Sequence, residues 1–296
     1  MKLYYRKFGR GKPLFILHGL FGLSDNWATV GKILSEFFEV YLVDLRNFGQ
    51  SPHSDKWTYP VMANDILELI ENVLKDKQPN DEHLNENSSA ICHLPSAILM
   101  GHSLGGKVAM QFASMYPQKL EKLIVVDMSP KDYPLFDRSL IDNLLAMDLE
   151  KIKSRKEADE KISSFVKESA VRQLLSKNIY WKEKSGSGSS SVLDWKFNLK
   201  KISENVSTIG KTFSIDEKEI NTPALFIRGE KSNYILDSDI PQIKKYFSHA
   251  EFKTIEGAGH WVHADKPEEF AEVVNKFTLP NFEPLYLKFV SGFGFS

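Results

Sequence analysis

The chain has 296 residues, enough to bury one large core, and its 42% hydrophobic and 26% charged content is that of an ordinary globular protein. A formal charge of −1 gives no electrostatic pull toward nucleic acid or an anionic membrane, and no apolar run approaches the ~18 residues of a membrane span. The single cysteine, Cys92, cannot close an internal disulfide and has no histidine-bearing motif beside it, so it reads as an incidental thiol.

Residues 3–8 and 14–18 read as strands joined by a turn through Gly9, Gly11 and Pro13. The opening residues lack the apolar core of a signal peptide, so the expected location is cytoplasmic; a eukaryotic leader ahead of Met1 would imply mitochondria instead. Residues 40–44 form the next strand, and Tyr41, Leu42 and Val43 make the continuous apolar run expected when both sheet faces are covered. Residues 60–74 repeat Val61, Ile66, Leu69, Ile70 and Val73 at helical spacing. Residues 78–95 are polar and read as a solvated loop without chemistry of its own. A strand over 97–100, a helix over 104–115 and a strand over 123–127 follow.

From Pro130 to about Ile215 the composition changes to mixed charge with a sparse apolar stripe through Leu149, Ile152, Ile162, Phe165 and Val166, which predicts amphipathic helices over a core. The Ser/Gly stretch at 185–191 reads as a flexible connector. The strand–helix rhythm then returns, with strands over 223–228 and 251–255 and a helix over 267–277. The expected organisation is an α/β core (1–129 and 216–279), a helical cap (130–215) over the carboxyl edge of a mostly parallel sheet, and a tail (280–296) without a functional reading.

Gly101, Ser103 and Gly105 spell G-x-S-x-G between the strand over 97–100 and the helix over 104–115. A nucleophilic serine needs a sharp strand-to-helix turn that exposes its oxygen, and glycines two residues to either side remove the Cβ atoms that would clash there. The bland alternative is a glycine-rich turn with an idle serine, and the strand–turn–helix context argues against it. The segment resembles the nucleophile elbow of the α/β-hydrolase fold, with Ser103 as nucleophile.

Ser103 needs an imidazole, and among eight histidines His260 has the best setting, a glycine-bearing loop through Gly257 and Gly259 after the last predicted strand. It also obeys the chain order nucleophile, acid, histidine. His263 is the fallback and is expected to be structural; His102, inside the elbow, reads as a packed spacer. In most α/β hydrolases an aspartate follows the strand that ends here near Arg228, but this chain has Ser232 at that point. A hydroxyl can orient an imidazole but cannot balance the imidazolium formed during attack. Asp127, ending the neighbouring strand, is the expected acid, with Ser232 a second partner of the histidine; Glu230 is the runner-up, with Asp237 and Asp239 more distant. The loop after residues 14–17 supplies one oxyanion donor in this fold and the residue after the nucleophile the other, so the N–H groups of Leu20 and Leu104 are assigned, Phe21 being close enough to be confused with Leu20. His18 is expected to brace that loop, and Asp44 with Arg46 to hold a structural turn. There is no CxxC, HExxH or GxGxxG, so neither metal nor cofactor is implied.

Taken together, His18-Gly-Leu-Phe-Gly22 with Asp25-Asn-Trp27, Asp44-Leu-Arg-Asn47, the elbow through Lys107, Asp127-Met-Ser-Pro130, the run from Arg228 to Ile235 and Ala258-Gly-His-Trp-Val-His263 resemble one branch of the α/β hydrolases. That branch comprises small bacterial acyl (acyl-CoA) esterases and their mitochondrial abhydrolase-domain relatives. The resemblance implies a Ser–His–Asp triad whose acid matches Asp127, a serine matching Ser232 that joins the histidine, and activity on short- to medium-chain acyl esters or acyl-CoA thioesters. The chain departs from the branch at Phe48, where relatives often carry histidine, in the 78–95 insertion, in the Ser/Gly stretch and in the tail. Other serine-dependent reactions of the fold (perhydrolase, peptidase, carbon–carbon hydrolase) and a binding protein with a hydrolase shell are the competing readings. The expected partner is a small-molecule acyl ester or thioester, without nucleic acid or stable membrane insertion, and the sequence carries no signal for an oligomeric state.

Overall fold

The computed structural model describes residues 1–75, 96–133, 138–183, 191–212 and 219–283. The expected loop at 78–95, most of the Ser/Gly connector and the tail from 284 onward lie outside them. In chain order the strands are β1 (Tyr5–Phe8), β2 (Lys12–Leu17), β3 (Phe38–Val43), β4 (Ala97–His102), β5 (Leu120–Val126), β6 (Ile179–Glu183), β7 (Ser191–Trp195), β8 (Ala224–Gly229) and β9 (Ala250–Ile255).

Seven of them form one sheet in the order β1-β3-β2-β4-β5-β8-β9, parallel except for β1, which pairs antiparallel with β3. The apolar runs of the central strands are explained by a core on each face. Phe15, Leu17, Tyr41, Val43, Leu99, Leu123 and Val125 point to one face, where the helices Tyr59–Lys75 and Leu104–Met115 pack. Leu14, Ile16, Val40, Leu42, Ile98, Met100, Ile124 and Val126 point to the other, under the helices Ala28–Leu34 and Pro267–Thr278. The period-2 alternation of side chains assigns every second residue to the opposite core, so neither face tolerates a polar set. This is the α/β-hydrolase fold that the sequence resembles.

Because β2, β4, β5, β8 and β9 are parallel and adjacent, the loops that follow them emerge along one edge, which is where open α/β sheets bind ligands. Those loops carry the stretches from His18, Ser103, Asp127, Glu230 and Glu256 onward.

Between β5 and β8 the expectation was helices alone. The helices are present at Arg138–Ala146, Arg155–Phe165, Ser169–Lys177, Leu199–Glu204 and Val206–Ile209, but β6 and β7 pair as an antiparallel hairpin within them. Its aromatic residues explain the difference: Trp195 stacks on Phe197, with ring centroids 5.0 Å apart, and Phe197 reaches Phe21 of the edge loops, also at 5.0 Å. Contacts with the core stabilise a strand pair that local helical patterning does not reveal. Among the described residues no helix is long and apolar enough to cross a membrane.

Candidate active site

The turn from β4 into the helix Leu104–Met115 is as sharp as the motif demands. Ser103 has φ 52° and ψ −117°, and its N–H donates to the Val126 carbonyl at 3.1 Å. A Cβ on Gly101 would stand 2.1 Å from the Gly105 carbonyl oxygen, and one on Gly105 would stand 2.6 Å from the carbonyl oxygens of Leu17 and His18. Those distances are well inside contact, so the turn closes only with glycine at both positions. Among the described residues four non-glycines have positive φ, Phe21, Asn47, Ser103 and Asp127, and all four lie in loops that follow parallel strands. Strain of this kind persists only where the surrounding structure over-determines it.

Asp127 is fully buried, and its Oδ2 accepts from His260 Nδ1 at 2.7 Å. With Nδ1 engaged, Nε2 is the ring nitrogen left for a second partner. The Ser232 hydroxyl donates to the same Oδ2 of Asp127, and the Gly229 N–H approaches Oδ1 at 3.4 Å. Ser232 was expected to meet the histidine; its bond is to the carboxylate that holds the histidine. The other carboxylates considered from the sequence are engaged elsewhere. Glu230 accepts from the Gly257 N–H at 2.8 Å, Asp237 pairs with Arg228 at 2.7 Å and Asp239 pairs with Lys131 at 2.5 Å.

Ser103 and His260 line one cavity of about 280 Å³, together with the loop from His18 to Gly22, Trp27, Tyr234 and Trp261. Among the described residues no hydrogen bond joins Ser103 Oγ to the imidazole, an arrangement common before substrate binding. Leu104 is the first residue of its helix, so its N–H has no carbonyl within the helix to bond. Leu20 lies in the turn closed by the Gly22 N–H on the Gly19 carbonyl at 2.9 Å, and it lines the cavity beside Ser103. That turn is braced as expected of His18, whose Nδ1 contacts the Gly19 carbonyl at 2.8 Å while its Nε2 accepts from the Leu45 N–H at 3.1 Å. Burial holds the His18 pKa down, in keeping with a neutral ring that donates once and accepts once. Asp44 holds its turn by accepting the Ser24 and Gln50 N–H groups at 2.6 and 2.8 Å, and Arg46 forks onto Asp65 at 2.5 and 2.7 Å rather than onto Asp44.

The two other histidines near the site are buried without a carboxylate. His263 stacks on Trp27 with centroids 3.7 Å apart, and its buried Nδ1 has no partner among the described residues. Burial, with repulsion from His260, pushes its pKa down to about 3. His102 bonds to the His260 carbonyl through Nε2 at 2.9 Å, and burial holds its pKa well below the usual value. Both rings are therefore neutral near pH 7, and neither has a carboxylate partner such as His260 has in Asp127.

Sequence reasoning missed two side chains that shape the site. Tyr234 stacks on the His260 ring at 3.9 Å, and only its place two residues after Ser232 could have flagged it. Asn178, fully buried in the segment between β5 and β8, donates to the Phe21 carbonyl at 2.7 Å and to the Leu174 carbonyl at 2.9 Å. It therefore grips the turn that carries Leu20 from a point more than 150 residues along the chain, which no local pattern encodes.

Residues 14–273 match the family model described as the alpha/beta hydrolase family. The chain is similar, at 32% identity over 280 residues, to the sn-1-specific diacylglycerol lipase ABHD11 of Danio rerio, covering 92% of this chain and 80% of that one. It is 28% identical over 266 residues to the esterase YbfF of Escherichia coli, covering 90% and 92% of the two chains. Among solved structures it resembles a marine microorganism esterase, with a TM-score of 0.81 and 37% identity over 93% of this chain and 99% of the other. On fold, edge geometry and kinship alike, the chain belongs to the alpha/beta hydrolase family and is a carboxylic ester hydrolase.

Proposed function

We propose that the chain hydrolyses short- to medium-chain acyl esters, acyl-CoA thioesters included, through Ser103, His260 and Asp127. The observation that carries this reading is the 2.7 Å bond from His260 Nδ1 to the fully buried Asp127, on a ring that shares its cavity with the strained Ser103. His260 takes the Ser103 hydroxyl proton as Oγ bonds to the acyl carbon, and the carbonyl electrons move onto oxygen. That oxyanion accepts from the N–H groups of Leu20 and Leu104, donors fixed before the charge develops. As the tetrahedral species collapses, the bond to the leaving oxygen breaks and His260 returns the proton to it; a thiolate can leave first and then takes the same proton, so that in either case the ring is neutral again. Water, deprotonated by the same ring, then attacks the acyl-enzyme, and the acid departs with Ser103 regenerated.

Asp127 balances the imidazolium, and Ser232 holds the carboxylate by its second bond to Oδ2. Residues 130–215 act as a cap that walls the cavity through Leu140, Glu168, Val171 and Leu174. The test is labelling with a fluorophosphonate probe and turnover of p-nitrophenyl and CoA esters of graded length. The expected result is an adduct on Ser103, and activity lowered by several orders of magnitude in Ser103→Ala. Near-normal turnover by that variant would overturn the reading, and an unlabelled Ser103 would favour a binding protein.

A further inference from the structure

Ser103 lines two cavities. The larger holds His260. The smaller, of about 80 Å³, is bounded by Leu20, Ser103, Leu104, Met128, Tyr133, Ile209, Gly210 and Tyr234, with Lys107 among its walls. An acyl carbon attacked by Ser103 has three substituents to place. Its oxygen turns to the Leu20 and Leu104 amides and its leaving group to the proton donor His260, which leaves the smaller cavity for the acyl chain. That assignment rests on the proposed role of Ser103.

Lys107 lies one turn beyond Ser103, its N–H on the Ser103 carbonyl at 3.1 Å, and its side chain is almost wholly buried. Its Nζ donates to the carbonyls of Gly210 at 2.8 Å, Lys211 at 2.6 Å and Lys131 at 3.3 Å. The first two belong to the stem that leads back toward β8, and the third to the stem that leaves β5. One ammonium therefore ties both stems of the long insertion to the helix that begins at the nucleophile. The stems also join each other, through the Tyr133 N–H on the Gly210 carbonyl at 2.8 Å and Asp132 on the Thr212 N–H at 2.6 Å. Tyr133 and Ile209, which wall the smaller cavity, sit on these two stems.

We propose that Lys107 is a positioning residue that sets the acyl length accepted by the smaller cavity, by pinning both stems of the insertion across its end. Without the pin the Lys131 and Lys211 carbonyls lose this donor and the Gly210 carbonyl keeps only the Tyr133 N–H; nothing then ties the two stems to the helix of the nucleophile at this point, and the walls carried on the stems shift. The groups facing the ammonium are Asp132 and Lys131 on the first stem, Lys211 on the second, Tyr59 from the helix Tyr59–Lys75 at 6.0 Å and Tyr133 at 5.0 Å. Lys211 is paired with Asp132 and Lys131 with Asp239; burial raises both tyrosines, and the Thr212 N–H and Lys211 lower Asp132. Burial brings the Lys107 pKa down to about 8, within reach of an assay.

The readout is the ratio of kcat/KM for p-nitrophenyl octanoate to that for p-nitrophenyl acetate, in which the protonation of the triad cancels. In Lys107→Met, which keeps the length of the side chain without its donors, the ratio should rise about tenfold (~1.4 kcal/mol). In the native chain it should rise as pH climbs through about 8 and one donor is lost, while in Lys107→Arg, charged throughout, it should stay flat. A folded Lys107→Met with the native ratio overturns the proposal. If that variant fails to fold, a native ratio that is flat from about pH 7 to about pH 9 overturns it instead. Failure of the native chain to label at Ser103 removes the reading beneath, whereas labelling with an unmoved ratio removes only the part assigned to Lys107.

Discussion

At the nucleophile elbow backbone is pressed against backbone, whereas the segment between β5 and β8 is tied down by side chains reaching onto carbonyl oxygens. At the edge, Gly101 and Gly105 leave no room for a Cβ, and Ser103 and Asp127 keep left-handed backbone angles. In the insertion, Lys107 bonds three stem carbonyls, Asn178 bonds the Phe21 carbonyl, and Tyr59 donates to the Ile209 carbonyl at 2.7 Å. Backbone packing has almost no slack, because a misplacement costs steric overlap. Side-chain tethers can lengthen or exchange a partner. The difference teaches that bond-making geometry can be fixed independently of the walls that select the substrate.

Breaking the edge should give the largest effects. Asp127→Asn preserves shape but removes the charge that balances the imidazolium, and kcat should fall by about 10³ to 10⁴ in p-nitrophenyl ester assays with little change in folding. Gly105→Ala should destabilise by about 3 kcal/mol in urea unfolding, since its Cβ would overlap the Leu17 and His18 carbonyls. A variant as stable as the native chain would show that the edge has slack after all.

Loosening a tether should do less. Asn178→Ala removes the donation to the Phe21 carbonyl and should cost about 1–2 kcal/mol. Because Phe21 follows Leu20, kcat should drop more than KM changes. An effect confined to stability would place Asn178 in the insertion's packing alone.

The electrostatic side of the comparison shows in its dependence on pH. The folded-state pKa of His263 is depressed to about 3 against about 6.5 when unfolded, so the unfolded chain binds the proton more readily. Its contribution to stability is complete above about pH 6.5 and is lost as pH falls toward about 3. His263→Phe, which keeps a ring against Trp27, should flatten the fall in Tm between about pH 6 and about pH 4 relative to the native chain. Parallel curves would remove His263 from the account.

Much of this was legible in the residues themselves. The parallel strands were readable because a sheet covered on both faces needs unbroken apolar runs, as in Leu14 to Leu17 and Leu123 to Val126. The elbow was readable because its sterics admit only glycine at positions 101 and 105. Asp127 and Ser232 could be singled out by their places at strand ends, but that the hydroxyl bonds the carboxylate appeared only when β5 and β8 were set side by side. The hairpin β6–β7, the stacking of Tyr234 on His260, the reach of Asn178 and the three bonds of Lys107 had no local signature. Their partners are distant in the chain, and a hydrogen bond depends on where two atoms stand. Local sequence determined the strands of the main sheet, the turn at the nucleophile and the reactive groups, because those follow from backbone sterics and side-chain periodicity. Tertiary packing alone decided how the insertion meets the edge, because that rests on contacts between residues that no short-range pattern relates.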